Sequence, residues 1–238
     1  MFFSPIGNSN PFLPNLVAYY KFDTNSNDFS GNSHNGVDTA ISYANAGKVG
    51  NCATFNGSTS FISVPQSTDF DFSDAISDIP FSVLTGGYFS GTSNTIVGKN
   101  NNTPYNGQWN IYNLSGKIYV VLWKDPVGGD RIGRVSSVTL SLNTQYHICV
   151  TYTGSGTSSG IKIYINGIED LFTTDFSAGT YTKMQIINEP LIIGKLQASG
   201  AFYLNGRLDE MYIYKNRQLI SSDIFNASNK FFAGNPLI

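Results

Sequence analysis

The loop that follows the first apolar run carries a high density of oxygen-bearing side chains. In residues 16–37, LVAYYKFDTNSNDFSGNSHNGV, an apolar, aromatic run gives way to Asn, Asp, Ser, Gly and His. Carboxylate, amide and backbone carbonyl oxygens are the ligands that Ca²⁺ prefers, at about six to eight per ion. The same residues form Asx turns in ordinary surface loops, because short Asn and Asp side chains accept hydrogen bonds from nearby backbone amides. The segment predicts either a surface loop or a loop around a hard cation.

Four aromatic side chains could bind a sugar. In the segment KIYVVLWKD, the strand period of two places Tyr119 and Trp123 on one face. Trp109 and Tyr112, on the preceding segment, are the next candidates. Sugar rings stack on exposed aromatic rings, while polar side chains bind their hydroxyl groups. These residues predict a glycan-binding surface, and the alternative is that they belong to the core, where large aromatic residues are common.

The acidic residues do not form a catalytic pattern. Glycoside hydrolysis needs two carboxylates that face one another across the scissile bond. Glu169 and Glu210 each adjoin an aspartate, and neighbours on a strand face opposite sides. The sequence contains no Gly-x-Ser-x-Gly elbow and no phosphate-binding loop. His34 and His147 lack Cys or His partners at metal-ligand spacing. The sequence therefore predicts a protein that is not an enzyme.

The composition predicts a single all-β domain. Of the 238 residues, 14% are aromatic and 13% are charged, which is the usage of short strands joined by many tight turns. Alternating runs that end in Gly, Asn, Asp or Pro recur along the chain, and Asn166-Gly167 fits a type I′ hairpin turn. With 14 basic and 16 acidic residues and no basic run, the chain offers no electrostatic surface for nucleic acid or an anionic membrane.

Four segments, in order, resemble the laminin G-like (concanavalin A-like) jelly-roll domains. They are LVAYYKFDTNSNDFSGNSHNGV, GKVGNCATFNGSTSFISVP, YHICVTYTGSGTSSGIKIYINGIED and LNGRLDEMYIYKNRQLISSDI. The resemblance covers about residues 16–226 and implies a jelly-roll sandwich of two packed antiparallel sheets, with the first and last strands close together. Tyr146 stands where these domains usually have Trp, which keeps the core apolar. The fold carries lectins, adhesion modules, hydrolases and structural domains, so it does not define one function.

The resemblance also implies a cation site. In several relatives, the loop after the first strand and the Asp of a late Asp-Glu pair together hold calcium. The matching positions are Asp28 and Asn32 in the loop and Asp209 in GRLDEMYIY. An Asx-rich loop, with Asp209 bound to turn amides, is the alternative, because only two carboxylates would converge and calcium affinity rises with ligand charge.

Both ends of the sequence are apolar. Residues 1–20 and the last eight residues, FFAGNPLI, contain no charged side chain. Solvated tails are usually charged or polar, so these ends are expected to dock on partner chains or on the domain itself. The expected organisation is a docking arm at 1–15, a jelly-roll domain at 16–226 and a tail at 227–238. The expected docking residues are Phe2, Phe3, Ile6, Phe12 and Leu13.

These features predict a binding protein without catalytic activity. The N-terminus has no recognisable export signal or membrane span, because prolines interrupt its apolar residues. The leading hypothesis is a non-enzymatic phage or virus structural protein, such as a decoration or fibre-associated component, that docks through its arms and displays a lectin-like sandwich. The alternative is a bacterial extracellular carbohydrate-binding or adhesion module, and a glycoside hydrolase or lyase is the third.

Overall fold

The regular structure of the described residues consists almost entirely of β-strands. The computed structural model describes residues 10–74, 76–100, 107–124, 129–196 and 202–238, which contain sixteen strands and one α-helix, α1 (Ser221–Phe232). The strands are β1 (Leu16–Tyr20), β2 (Val37–Thr39), β3 (Ser42–Ala46), β4 (Asn51–Asn56), β5 (Phe61–Val64), β6 (Phe81–Phe89), β7 (Ser93–Asn100), β8 (Gly107–Leu114), β9 (Lys117–Trp123), β10 (Arg131–Val135), β11 (Gln145–Tyr152), β12 (Ile161–Ile165), β13 (Ile168–Glu169), β14 (Thr174–Ala178), β15 (Leu191–Ile193) and β16 (Asn205–Lys215).

The strands form two antiparallel sheets. Sheet A has the order β13-β12-β11-β6-β16-β4-β3, and β1 also pairs with β16. Sheet B has the order β14-β10-β9-β8-β7-β15-β5-β2. Asn166 and Gly167 join β12 to β13 with φ angles of 54° and 83°, the positive values that a type I′ turn requires. The predicted all-β jelly-roll sandwich, with its first and last strands paired, is confirmed.

The core lies between the two sheets, and Trp109 belongs to it. Its ring centroid lies 5.0 Å from that of Phe72 and 5.9 Å from that of Phe81. Its indole Nε1 donates a hydrogen bond to the backbone oxygen of Phe70 at 3.0 Å. Because the Trp109 side chain has no exposed surface, it cannot stack on a sugar that arrives from solvent. The prediction that Trp109 binds glycan is wrong.

The outer face of sheet A is covered by the two ends of the chain. Phe12, Leu237 and buried residues of α1 pack together with the outward-facing tyrosines of β1 and β16. The Asn10 side-chain amide donates to the backbone oxygen of Leu237 at 2.7 Å, and the Leu237 amide donates to the Tyr212 hydroxyl at 3.0 Å. The domain therefore binds its own ends on this face.

The packing of the chain ends on sheet A contradicts part of what the sequence predicts for the arm and the tail. Phe12 is only 3% exposed, so its role in docking a partner is wrong, whereas Leu13 is 53% exposed. The predicted boundary at residue 227 falls inside α1, which continues to Phe232. Phe2, Phe3 and Ile6 lie outside the described residues.

The outer face of sheet B differs from that of sheet A, because α1 and the described chain ends pack on sheet A. Helix α1 contacts β11 and β13 of sheet A, and its buried apolar residues face that sheet. No helix within the described ranges is long and apolar enough to cross a membrane. The two sheets thus differ in what lies on their outer faces.

Candidate ligand-binding groove

Side chains from four neighbouring strands meet on the outer face of sheet B. In β9, Val120 and its alternate neighbours point into the core, so Tyr119 and Trp123 point outward. The antiparallel register places Tyr112 of β8 opposite Tyr119, and Arg131 of β10 opposite Trp123. Directly opposed side chains lie on the same face of a sheet. The pairing therefore gathers residues that are distant in sequence into one patch.

The patch forms a groove with a cavity of about 220 Å³. The rings of Tyr112 and Tyr119 stack, with centroids 5.0 Å apart and planes inclined by 14°. The Phe176 ring, on β14, lies 6.3 Å from the Tyr119 ring at an angle of 52°. The groove is lined by Tyr112, Tyr119, Val121, Trp123, Arg131 and Phe176.

A glycine in β10 makes room for one wall of the groove. Gly133 lies opposite both Val121 of β9 and Phe176 of β14. A Cβ atom at Gly133 would collide with the Phe176 ring and with the backbone oxygen of Val120. Glycine in a strand often marks such a close approach. The Phe176 ring can lie over the sheet at this point because residue 133 has no side chain.

The groove is apolar and carries few polar groups. Burial, followed by the neighbouring Tyr119, raises the pKa of Tyr112 to about 12, and Arg131 acts in the opposite direction. Tyr112 is therefore a neutral phenol at physiological pH and can donate a hydrogen bond. The indole Nε1 of Trp123 is buried and has no hydrogen-bond partner. The Arg131 guanidinium donates to the backbone oxygen of Gly129 at 3.0 Å.

The structure brings three of the four predicted glycan residues together. Tyr112, Tyr119 and Trp123 line one groove, whereas Trp109 lies on the opposite face of the same sheet. Sequence reasoning does not find Arg131 and Phe176, because their places depend on the pairing of β10 with β9 and β14. The isolated glycine in RIGRV is the one local signal of a close approach at this point.

Two of the predicted calcium ligands, Asp28 and Asn32, hydrogen-bond to the loop and the strand around them. The Asp28 carboxylate accepts hydrogen bonds from the amides of Tyr19 (2.9 Å), Ser30 (2.8 Å) and His34 (3.0 Å). The Asn32 amide nitrogen donates to the backbone oxygens of residues 16 and 17, at 3.0 Å each. Both side chains therefore organise the loop itself and do not fit a cation site. At these two positions the structure has the Asx-rich loop, the alternative to a cation site.

Asp209 behaves differently from Asp28. Its Oδ2 accepts hydrogen bonds from the amides of Lys48 (2.6 Å) and Val49 (3.0 Å), whereas its Oδ1 is buried without a partner. Burial is the main cause that raises its pKa to about 7, and the carboxylates of Glu210 and Asp23 add to the shift. The free oxygen fits one ligand of a calcium ion. The described residues nevertheless contain no group of three or more His, Cys, Asp or Glu that could hold a metal.

A family comparison matches residues 56–224, more than half of the chain, to a laminin G model described as the concanavalin A-like lectin/glucanases superfamily. A comparison with curated proteins finds no match. Domain 4 of AbnA, a GH43 extracellular arabinanase from Geobacillus stearothermophilus, has been solved in complex with arabinotriose. It is 20% identical with a TM-score of 0.63, over 90% of this chain and 98% of that one.

Two botulinum neurotoxin structures are also similar. The binding domain of serotype C1 is 16% identical with a TM-score of 0.65, over 92% of this chain and 53% of that one. A type C structure, from work on cell entry through two ganglioside molecules, is 15% identical with a TM-score of 0.63, over 92% and 52%. At such identities the solved structures show the fold alone. The family match shows that this protein belongs to the concanavalin A-like lectin/glucanases superfamily.

Proposed function

We propose that this protein is a carbohydrate-binding module that holds an oligosaccharide in the groove on sheet B. The observation that carries the proposal is the wall formed by Tyr112, Tyr119, Trp123 and Phe176 around one open cavity. Flat aromatic rings cover the C–H faces of sugars, and a few polar groups fix their orientation. The groove has this composition. Each of these four side chains is half-buried and keeps part of its surface open to a ligand.

The similar structures support the same class of ligand. The arabinanase domain was solved with arabinotriose, and cell entry of the type C neurotoxin depends on interaction with gangliosides. These ligands belong to those proteins, and they indicate that the fold suits sugar binding. Which sugar this protein binds depends on its own groove.

The proposed module is not an enzyme. Hydrolysis by a carboxylate pair requires two acidic groups on either side of the bond. Among the described residues that line the groove, none is Asp or Glu. Incubation of the purified protein with the polysaccharides that it binds should release no reducing ends. Reducing ends released by wild type and lost in a groove variant would contradict this part of the proposal.

A glycan array, followed by calorimetry on the best oligosaccharides, tests the binding function. We expect Trp123→Ala and Tyr119→Ala to lose binding, because each removes a ring from the wall of the groove. Phe172→Ala is a matched control, because Phe172 is an aromatic residue that is 83% exposed and lies outside the groove lining. Wild-type protein that binds no glycan, or groove variants that bind as wild type does, would overturn the proposal.

The predicted virion role is a second proposal with less support. It depends on docking arms, and the domain itself buries Phe12 and Leu237. The predicted docking residues Phe2, Phe3 and Ile6 lie outside the described residues. Co-sedimentation of the full chain with viral particles, compared with a chain that lacks residues 1–9, tests this role. Equal sedimentation of both chains would contradict docking through the arm, and an extracellular module would remain.

We also propose that the predicted calcium ion binds at Asp209, apart from Asp28 and Asn32. The support is the buried and unpartnered Oδ1 of Asp209, with the carboxylates of Asp23 and Glu210 close enough to raise its pKa. Calcium would supply positive charge to this buried carboxylate, and its role would be stability. Asp209 lies on sheet A, so the ion would take no part in the groove on sheet B.

A further inference from the structure

We propose that the groove holds the terminal residue of a glycan chain and does not accept the internal residues of an unbranched polymer. This inference rests on the proposed glycan-binding function and adds which part of a glycan binds. It depends on the floor of the groove, on the side chains that surround this floor and on the size of the cavity.

The floor of the groove is only two strands wide. Val121 of β9 lies opposite Gly133 of β10, and both residues face outward because their neighbours Val120 and Ile132 point into the core. Val121 lines the cavity, and Gly133 adds no side chain above the sheet. Adjacent strands lie about 4.8 Å apart, so the floor is narrow unless the groove continues over β8 or β14.

The Phe176 ring closes the groove on the side of β14. This strand is an edge strand in the described part of sheet B, so a groove that continued past Gly133 would run off the sheet there. Phe176 lies opposite Gly133 in the register, and its ring covers the position that a Cβ atom of Gly133 would take. The ring also lies 6.3 Å from that of Tyr119. A ligand therefore meets the Phe176 ring before it reaches the edge of the sheet.

Buried amides close the groove on the side of β8. Asn110 continues the row of the floor, since it lies opposite Val121, but it is only 1% exposed and is not part of the groove lining. The side chains of Asn110 and Asn100 exchange two hydrogen bonds, at 2.9 and 3.0 Å. The next residue of the row, Gly98, lies beneath the Asn110 amide. The described residues thus leave no open floor beyond Val121 on this side.

Aromatic walls stand before and after the floor along the strands. Tyr119 and Trp123 lie two residues on either side of Val121 in β9, so all three side chains share the outer face. Tyr119 is stacked on Tyr112, and Trp123 packs against Gly107, where a Cβ atom would lie 3.0 Å from its ring. The described side chains therefore stand on all four sides of the floor, and the groove opens away from the sheet.

A terminal sugar residue suits a site of this shape. An internal residue is linked on both sides, so its chain must leave the site in two directions along the surface. A terminal residue has a single linkage, and its chain can leave through the opening. The cavity of about 220 Å³ is smaller than the ~300 to 1,000 Å³ of pockets that bury a drug-sized ligand, so it holds a short part of a glycan. The aromatic walls can cover the C–H faces of that part, while the Tyr112 hydroxyl can donate a hydrogen bond.

The number of protein molecules bound per glycan chain tests this inference. The probes are the trisaccharide, the hexasaccharide and the linear polymer of three series, namely xylose, mannose and the α-linked glucose of amylose. Any other glycan that binds on the array enters the same comparison. Calorimetry at equal concentrations of chains gives the affinity and the stoichiometry. We expect a single protein molecule per chain at every length, and affinities per chain that agree within about twofold, because a longer chain adds no second site.

Two variants locate the closed end of the groove. Phe176→Ala removes the ring at the β14 edge, so a polymer can pass over Gly133. We expect the trisaccharide to bind about three- to tenfold more weakly, as for the loss of one aromatic contact, and more than one protein molecule to bind each polymer chain. Phe172→Ala is the matched control, because this exposed ring lies outside the groove lining, and it should bind as wild type does. Circular dichroism should show that both variants are folded.

The outcomes separate this inference from the proposed function. A wild-type stoichiometry that grows with chain length would overturn the inference, while the proposed function would stand. A single protein molecule per polymer chain in both wild type and Phe176→Ala would overturn the assignment of the closed end to Phe176. Protein that binds none of the probes and no glycan on the array would overturn both the inference and the proposed function.

Discussion

The two outer faces of the sandwich use similar residues for opposite purposes. On sheet A, the Phe231 ring of α1 lies over Gly86 of β6, and a Cβ atom there would collide with it. On sheet B, the Phe176 ring lies over Gly133 of β10 in the same way. Phe231 is buried, and its ring lies 5.2 Å from that of His147, whereas Phe176 lines the groove. An aromatic ring over a strand glycine is thus a packing device on one face and a wall of the groove on the other.

The difference arises from the course of the chain beyond the last strand. After β16, the chain turns into α1 and passes over sheet A, where it meets Phe12 from the other end. Apolar side chains on both faces of β6, β11 and β16 are buried as a result. On sheet B the outward-facing Val121 is also buried, but Tyr112, Tyr119 and Trp123 are only half-buried and keep part of their surface for a ligand. A covered face stabilises the fold, and an open face can bind.

The largest expected effect separates the two phenylalanines. Phe231→Ala should lower the free energy of unfolding by about 3 to 5 kcal/mol, because it leaves a cavity over Gly86 at a buried position. Phe176→Ala should cost much less stability and should weaken oligosaccharide binding. Urea unfolding of both variants, with calorimetry of glycan binding, measures the contrast. Equal losses of stability would mean that Phe176 belongs to a core and not to a groove.

The second effect is a pH dependence that arises on sheet A. In the folded protein the pKa of Asp209 is raised from 3.8 to about 7, so between these values the folded state binds more protons than the unfolded state. Stability should therefore fall as the pH rises from about 4 to about 7, by on the order of 4 kcal/mol from this group. Asp209→Asn stays neutral and keeps an acceptor for the amides of Lys48 and Val49.

Urea unfolding across this pH range, in chelator, tests the role of Asp209. The variant should show a shallower decline than wild type, and a residual decline is expected because burial also raises the pKa of Glu210 and Asp78. Tyr112→Phe on sheet B is the control, since a pKa of about 12 lies outside the range. Parallel curves for wild type and Asp209→Asn would show that the Asp209 carboxylate is not the titrating group.

The third effect compares the contributions of two parts of the N-terminal arm, residues 1–9 and residues 10–14, to stability. Removal of residues 1–14 takes away Phe12, and the burial of one such side chain is worth about 1.5 to 3 kcal/mol. The truncated protein should keep its β-sheet signal in circular dichroism and unfold at a lower temperature. Removal of residues 1–9 keeps Asn10 and Phe12 in place and should therefore lower the melting temperature less than removal of residues 1–14. Equal melting of both truncated chains would contradict the packing of Phe12 against the C-terminal end.

The pattern of amino acids is sufficient to predict the fold and part of the groove. Alternation and turn residues such as Asn166-Gly167 are local signals, so strands, hairpins and the jelly roll can be predicted. Tyr119 and Trp123 share a face by the same period of two. That period does not say which face is inward, and for this reason the prediction for Trp109 is wrong. Arg131 lines the groove because β10 pairs with β9, and Phe12 is buried against the C-terminal end of the chain. Both positions depend on residues far away in the sequence, so no local pattern predicts them.

The last effect concerns calcium and compares Asp209 with Asp28. Calcium that binds only the folded protein raises its melting temperature by mass action, and we expect this rise in wild type and its loss in Asp209→Asn.

Asp28→Ala removes the acceptor for the amides of Tyr19, Ser30 and His34, so it should lower stability by about 1 kcal/mol per lost hydrogen bond. That loss should be equal in calcium and in chelator, because these partners are all donors from the loop and strand. Thermal melts of the three proteins in both buffers measure the difference. A loss at Asp28 that occurs only in calcium would restore the shared site of Asp28 and Asp209. If calcium does not raise the melting temperature of wild type, the buried Oδ1 of Asp209 binds no ion. The stability of sheet A would then owe nothing to calcium and would come from the apolar side chains that cover it.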